Sequence, residues 1–369
     1  MILTVLCAGA LRPAPSSNPP PSQSPFGSQA GWSPAGGREA SDRFLHRLGK
    51  ADQLASVRAA PIPGEPLPLE SGEEAWCRAR FTVQPDHTCA AAAAIELGGQ
   101  PGALILRPVH LHAGLDHVVL DPPVSLDLSD AEARALFEAA VDWLAPEPIR
   151  LRYLSASLWE LTETDPAGTG FSALRGASAA RASGRNIDIW LPRGHASRNW
   201  RRLMNEVQML WHSHPVNTER ERAGRKRVNA LWLEGCPPAS LGAPFSALAS
   251  NDPVVRGLSL SAGVRPLPAT SAAELIAAAD SQSRLIDLPF WRDALAEGSD
   301  DAWAAGWQAF DRWLASLPRD VSPDWLERAE VVLTGEHSAR VFRWSRFARL
   351  RLWRGKAPAT WLDDLGLAD

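Results

Sequence analysis

Between Arg198 and about Ser213 the chain carries two stripes at helical spacing. Leu203, Val207, Leu210 and Trp211 fall at i, i+4, i+7 and i+8, an apolar face that must turn inward. Arg201, Asn205, Gln208 and His212 fall at i, i+4, i+7 and i+11. A helix that only meets water there is served by Glu and Lys, whereas Asn, Gln and His offer directional donors and acceptors, suited to a held ligand or to a buried polar network. His214-Pro215-Val216-Asn217, Arg220, Gly224, Asn229, Trp232 and Gly235 follow directly. Pro215 disfavours helical geometry at His214, which places that imidazole at the helix C-terminus, where the macrodipole favours its protonated form.

Arg220, Arg222, Arg225, Lys226 and Arg227 put five positive charges within eight residues. Guanidinium groups supply forked donors for phosphate or carboxylate. A solvated basic turn is the other reading, and it suits Arg225 to Arg227 better. No aromatic stacking platform accompanies the cluster, so specific nucleic-acid binding is not expected. A second group of candidates lies upstream. His110-Leu111-His112 places two imidazoles on one side of a strand, and Asp116-His117 follows after a turn at Gly114. Convergence of His110 with His212 would allow a nitrogen-rich metal site, although histidines of a polar network are the plainer reading and no metal is assigned. The set is similar to the His-x-His-x-Asp-His motif of metallo-β-lactamase-like hydrolases, but three residues separate His112 from Asp116.

Longer stretches resemble known families. Asn205 to Leu210, His214 to Asn217 and Asn229 to Gly235, with Pro108-Val109-His110, Asp116-His117 and Gly184-Arg185-Asn186-Ile187-Asp188 leading to Trp190-Leu191-Pro192, resemble bacterial regulatory proteins of RpfE type. Trp344 and Trp353 extend the likeness. That resemblance implies a regulatory role of undefined biochemistry. The stretch His214 to Gly235 is also similar to a segment of archaeal-type cofactor-independent phosphoglycerate mutases, which implies a phosphosugar-acid site. Those enzymes end their first strand in Asp-Gly, a metal ligand; here the strand ends Leu6-Cys7-Ala8-Gly9.

The elements that must position these residues read as an α/β or α+β fold, a mixed sheet flanked by helices. Strands are expected at Met1 to Ala8, Ala103 to Leu106, Val118 to Leu120, Ile149 to Leu154, Ser157 to Leu161, Ile187 to Leu191, Ala230 to Leu233, Glu330 to Leu333 and Val341 to Trp344. Helices are expected near Ser41 to Ala55, His87 to Ile95, Asp130 to Trp143, Arg198 to Ser213, Ala272 to Ala279 and Asp301 to Leu317. Ser129 and Glu132 form a capping box for the third of these. Residues 11–37 are rich in Pro, Ser and Gly and read as a disordered insertion, with a second Pro-rich connection through Pro61 to Pro68. The whole chain reads as one domain, with residues 236–369 an extension packing on the same core.

Composition bounds the rest. The chain has 369 residues, is 45% hydrophobic and carries a net charge of −4, too near balance for a protein that coats nucleic acid or an anionic membrane. Four scattered cysteines without a Cys-x-x-Cys leave no zinc ribbon, and no apolar run approaches a membrane span, so a cytoplasmic protein is expected. Sixteen Trp, several at helical spacing such as Trp303, Trp307 and Trp313, read as core.

The leading expectation is one pocket for a small anionic ligand. In it Arg185, Arg201 and Arg220 hold the anion, Asn186, Gln208, Asn205, Asn217 and Asn229 orient it, and His214 adds a switchable charge. An enzyme reading assigns phosphoryl-transfer or hydrolytic chemistry to the same pocket, with His110, Asp116, His117, His212 and His214 as metal ligands or acid/base groups. A third reading is a protein-interaction adaptor with exposed tryptophans. No cofactor is required by the sequence.

Overall fold

The computed structural model describes residues 3–11, 46, 48–59, 68–114, 117–278, 282–292, 300–318, 321, 325, 329–344 and 362. Its strands are β1 (Leu3–Cys7), β2 (Asp52–Arg58), β3 (Leu104–Val109), β4 (Leu111–Ala113), β5 (Val118–Leu120), β6 (Ile149–Ser155), β7 (Leu158–Glu163), β8 (Ala230–Gly235), β9 (Ala247–Ala249), β10 (Arg284–Leu288), β11 (Ala329–Thr334) and β12 (Ser338–Arg343). The longer helices are α1 (Gly72–Phe81), α2 (Asp130–Leu144), α3 (Ser197–His212), α4 (Pro215–Arg222), α5 (Pro253–Ser261), α6 (Ala272–Ala277) and α7 (Asp300–Ser316). The fold is mixed α/β, as the sequence reading holds. Among the described residues no helix is long and apolar enough to cross a membrane. The Pro-rich stretch from residue 12 to residue 37, the turn residue Asp116 and Trp353 lie outside the described residues.

Two main sheets share the helices. The first has the order β2-β12-β11-β1-β10-β9. β1 runs parallel to β10 on one side and β11 on the other, while β12 and β2 add an antiparallel flank. All five residues of β1 are buried, because both faces of the sheet are covered. Val5 and Cys7 face a cluster that includes Trp291, Trp303, Trp307 and Phe310, so the helically spaced tryptophans are core. Leu6 faces the opposite cluster with Trp76, Phe81 and Leu258.

The second sheet, β6-β7-β3-β8, is antiparallel throughout. One face carries Leu104, Leu106, Trp159, Leu161, Leu231 and Leu233 against α2 and α3. The capping box is present on α2, with Glu132 N–H donating to Ser129 Oγ and Ser129 N–H to Glu132 Oε2. Leu203, Val207 and Trp211 of α3 are buried. Full burial of a Leu or Val side chain is worth about 1.5–3 kcal/mol, so this stripe decides which face of α3 meets the sheet and leaves Arg201, Asn205 and Gln208 outside.

Three expected elements differ. The helix expected near Ser41 to Ala55 gives way to β2 from Asp52, which pairs with β12 and so follows its tertiary neighbour rather than local propensity. Ile187 to Leu191 is not a strand: Ile187–Ile189 is a 3-10 turn, started by the Asn186 side chain, which accepts from Asp188 N–H at 3.0 Å. His214 stands at the C-terminal end of α3, its N–H donating to the Trp211 carbonyl at 3.2 Å, and it also starts the next helix. It is the N-cap of α4, with Pro215 in the first turn where a missing N–H costs nothing.

The alanine run is a packing device. Ala90–Leu97 is a 3-10 helix between α5 and the second sheet, with Ala92 in the first sheet's core and Ala91, Ala93 and Ala94 against Ile105 and Leu158. Gly257 of α5 sits so close that an added Cβ would lie 1.8 Å from the Ala92 carbonyl oxygen. A Gly-to-Ala change in a helix interior ordinarily stabilises by up to about 1 kcal/mol. Here Gly257→Ala must push two backbones apart, and we expect a loss of about 2–3 kcal/mol, in the range of core overpacking, measured by urea denaturation.

Candidate functional site

Three of the expected ligand residues meet. Arg201, Asn205 and Gln208 line a cleft of about 400 Å³ together with Met204 of the same helix, Leu111, His112 and Ala113 of β4, Val118 of β5, and Ile187, Asp188 and Leu191. Arg201, Asn205, Gln208, His112 and Asp188 are exposed, whereas Leu111, Ile187, Leu191 and Met204 are buried and form its apolar floor. Among the described residues Arg201, Asn205 and Gln208 have no side-chain hydrogen bond or ion pair, and neither has the Asp188 carboxylate. This volume lies within the range of small-molecule pockets, roughly 300–1,000 Å³.

The far side of the cleft is built by pairing to the β4–β5 hairpin. Leu120 accepts from Gly184 N–H at 2.8 Å, and Val119 bridges Asn186. Gly184 has φ +72°, a left-handed conformation that suits glycine and turns the chain back onto β5. Arg181 and Arg185 then fasten the loop. Arg181 Nη1 donates to Glu336 Oε1 at 2.9 Å and its guanidinium lies 4.8 Å over the Trp190 ring; Arg185 Nη2 lies 2.7 Å from the same Glu336 oxygen. Arg185 also donates to the carbonyls of Arg181 and Ser183. The expected anion-holding arginine is therefore engaged in tying its own loop to the β11–β12 turn. Asn186 is the cap just described.

His112 contributes what the sequence reading undervalued. Its Nδ1 lies 2.7 Å from Asp121 Oδ1, and Lys226 Nζ lies 2.6 Å from Asp121 Oδ2. Burial alone would raise the Asp121 pKa, but the Lys226 bond and charge outweigh it and hold the carboxyl below its ordinary value. An ionised Asp121 faces His112 Nδ1 as a counter-charge, and Nε2 is the ring's second polar atom. β4 and β5 pair His112 with Val119, two residues before Asp121, and Asp121 N–H donates to the His110 carbonyl at 3.0 Å. A hairpin reading of residues 111–120 is the signal that would have found this pair.

The other candidates stand elsewhere and are occupied by the backbone. Asn217, buried, donates to the carbonyls of Trp211 and Val228 and accepts from Val228 N–H at 2.8 Å. Asn229 accepts from Leu111 N–H and donates to the Leu111 carbonyl, both at 2.7 Å. Arg220 has a fully buried side chain that donates to the carbonyls of Lys226, Asp127 and Leu126 and to Glu132 Oε2. Arg225 Nη2 lies 2.8 Å from Glu132 Oε1, and Arg227 pairs with Glu221. The basic run is thus a set of ion pairs, with Arg222 beside Glu219.

The histidines also separate. His214 Nδ1 accepts from Val216 N–H at 3.2 Å, and burial lowers its pKa. Burial, with a helix start on its other side, works against the protonated form expected from the macrodipole of α3. His110 Nδ1 lies 2.7 Å from the Arg227 carbonyl, and burial outweighs that bond in lowering its pKa. His110 and His112 do not share a strand, since β3 ends at Val109, yet their rings stack at 6.3 Å. His212 is exposed with Nδ1 3.4 Å from Arg227 Nη1, and the His117 carbonyl accepts from Gly114 N–H. Among the described residues no group of three or more His, Cys, Asp or Glu is arranged to hold a metal ion.

A second polar cluster, unforeseen in the sequence, sits at the carboxyl ends of the parallel strands. Arg292 Nη2 lies 2.7 Å from Glu73 and 3.0 Å from Asp287, and its Nε 3.5 Å from Asp252. Ser250 Oγ donates to Asp287 at 2.6 Å. Burial pushes Asp287 up despite the guanidinium, and burial followed by the Asp287 charge pushes up the Cys7 thiol.

No family model matches the chain. No curated protein matches it either, so the RpfE-type resemblance has no support from these comparisons. Solved structures do resemble it. One is the PH0037 protein from Pyrococcus horikoshii, 12% identical with a TM-score of 0.49, covering 93% of this chain and 87% of that one. Another is a cofactor-independent phosphoglycerate mutase from Thermoplasma acidophilum DSM 1728, 14% identical with a TM-score of 0.35, covering 94% and 90%.

Two outcomes check this geometry. Arg220→Ala strips a buried charge from three carbonyls and Glu132, and is expected to cost about 3–5 kcal/mol in denaturant unfolding, as for a broken buried pair, without touching the cleft. Arg185, Arg181 and His337 together hold the Glu336 pKa down against the opposing effect of burial. The stability it contributes is therefore fully present above the ordinary glutamate range, about pH 4.3, and is lost as pH falls through the lowered value. Glu336→Gln should flatten the acid limb of the stability–pH curve; an unchanged limb would contradict the assignment.

Proposed function

We propose that the protein binds a small ligand bearing an acidic group in the cleft between α3 and the β4–β5 hairpin. Arg201 takes the anion, and the Asn205 and Gln208 amides orient it. The observation that carries this reading is the contrast between two sets of polar residues. Asn217, Asn229 and Arg220 have their bonding capacity turned to the protein's own backbone, whereas among the described residues the Arg201, Asn205 and Gln208 side chains line a cavity with no hydrogen bond or ion pair.

A second reading, acid–base chemistry in the same cleft, draws on one observation: the His112 ring is fixed through Nδ1 by Asp121, the arrangement that orients a general base. It needs a ligand first. Stabilisation grows as RT ln(1 + [L]/Kd), about 2.7 kcal/mol at 100 times Kd. A thermal-shift screen against phosphoglycerates, nucleotides, and mono- and dicarboxylates is expected to raise the Tm of the wild type and leave Arg201→Ala unmoved. No shift with any anion would remove the proposal and favour a protein-interaction adaptor. Turnover of a bound compound that His112→Asn abolishes, with its binding retained, would establish the second reading.

A further inference from the structure

The cleft carries a carboxylate as well as a guanidinium. Asp188 lines it from the turn after Asn186, and Arg201 lines it from α3. The two charges border one cavity, yet among the described residues no ion pair joins them and neither has another partner. A pure anion seated on Arg201 would lie in the field of Asp188, and like charges in a partly desolvated site repel far more than in bulk water. A ligand that also carries an ammonium group converts that repulsion into attraction. His112 lines the same cavity, with its Nδ1 2.7 Å from Asp121 Oδ1. Between the polar groups lies the hydrocarbon floor of Leu111, Ile187, Leu191 and Met204, suited to an apolar body.

Resting on the anion-binding reading above, we infer that the ligand is a zwitterion of the apolar α-amino acid class. Its carboxylate meets Arg201, its ammonium meets Asp188, and its side chain covers the apolar floor. The volume of about 400 Å³ is at the small end of ligand pockets, which suits a molecule of this size. Asp188 is then the residue that sets specificity.

Calorimetric titration of the full chain with L-leucine and L-phenylalanine, each beside the matching acid that lacks the amine, tests this. At least one amino acid is expected to bind at least tenfold more tightly than its des-amino acid. Asp188→Asn is expected to weaken the amino acid about tenfold and to leave the des-amino acid unchanged or tighter, while Arg201→Gln weakens both. Both side chains are exposed, and circular dichroism confirms that each variant is folded. Equal affinity for the two members of each pair, or an Asp188→Asn variant that weakens both alike, overturns the inference and leaves the anion cleft standing. Absence of binding by either amino acid also overturns it, and the anion screen then decides separately whether the cleft itself survives.

Discussion

Two guanidiniums converge on the single carboxylate of Glu336, and the shape of the cleft depends on that convergence. Arg181 has a side chain only 2% exposed, so its charge is tolerable only with a fixed partner. Glu336, on the turn between β11 and β12, belongs to the first sheet, whereas Arg181 and Arg185 belong to the chain that lies over the second. The pairing therefore fastens one sheet's periphery to the other's. It also stacks Trp190 beneath Arg181 and fixes the path from Ser183 to Leu191, which delivers Asp188 to the cavity. The cleft wall is tied down by ion pairs formed outside the cleft.

The polar residues between α2 and β8 divide into two tasks. Asn217 offers its amide as a substitute peptide group, satisfying a helix-end carbonyl and both backbone groups of Val228. Asn229 does the same for Leu111. Arg220 collects carbonyls that a loop without regular structure would leave unpaired, and Glu132 serves at once as the capping partner of Ser129 and the counter-charge of Arg220 and Arg225. Irregular backbone can be buried here only because these side chains replace the missing ladder bonds. Ligand recognition is then left to groups the backbone does not need.

Much of the frame was legible from patterning. The two stripes of α3 and the capping box of α2 rest on local periodicity and local chemistry, and both are present. The purely local signal failed where the partner is distant in sequence. β10 was not anticipated because Arg284 and Asp287 break its apolar run, although both are buried, Arg284 on helix-end carbonyls and Asp287 on Ser250 and Arg292. Asn217 and Asn229 looked like ligand groups because a sequence shows that an amide is present but not whether a ligand or a peptide group meets it. The spacing of His112 from Asp116 fits no metal motif, and its partner Asp121 becomes visible only once β4 and β5 are folded against each other.

β1 lies in the middle of its sheet, with Leu3 beside Arg284 on one side and Ala329 on the other. Both neighbours lie nearly three hundred residues or more downstream of it in the chain. The segment from Leu104 to Gly235, by contrast, contains all four strands of its antiparallel sheet and can assemble while the rest is still being made. Contacts that span so much chain are slow to form, so the pairing that buries β1 is a late event compared with the closure of the local antiparallel sheet.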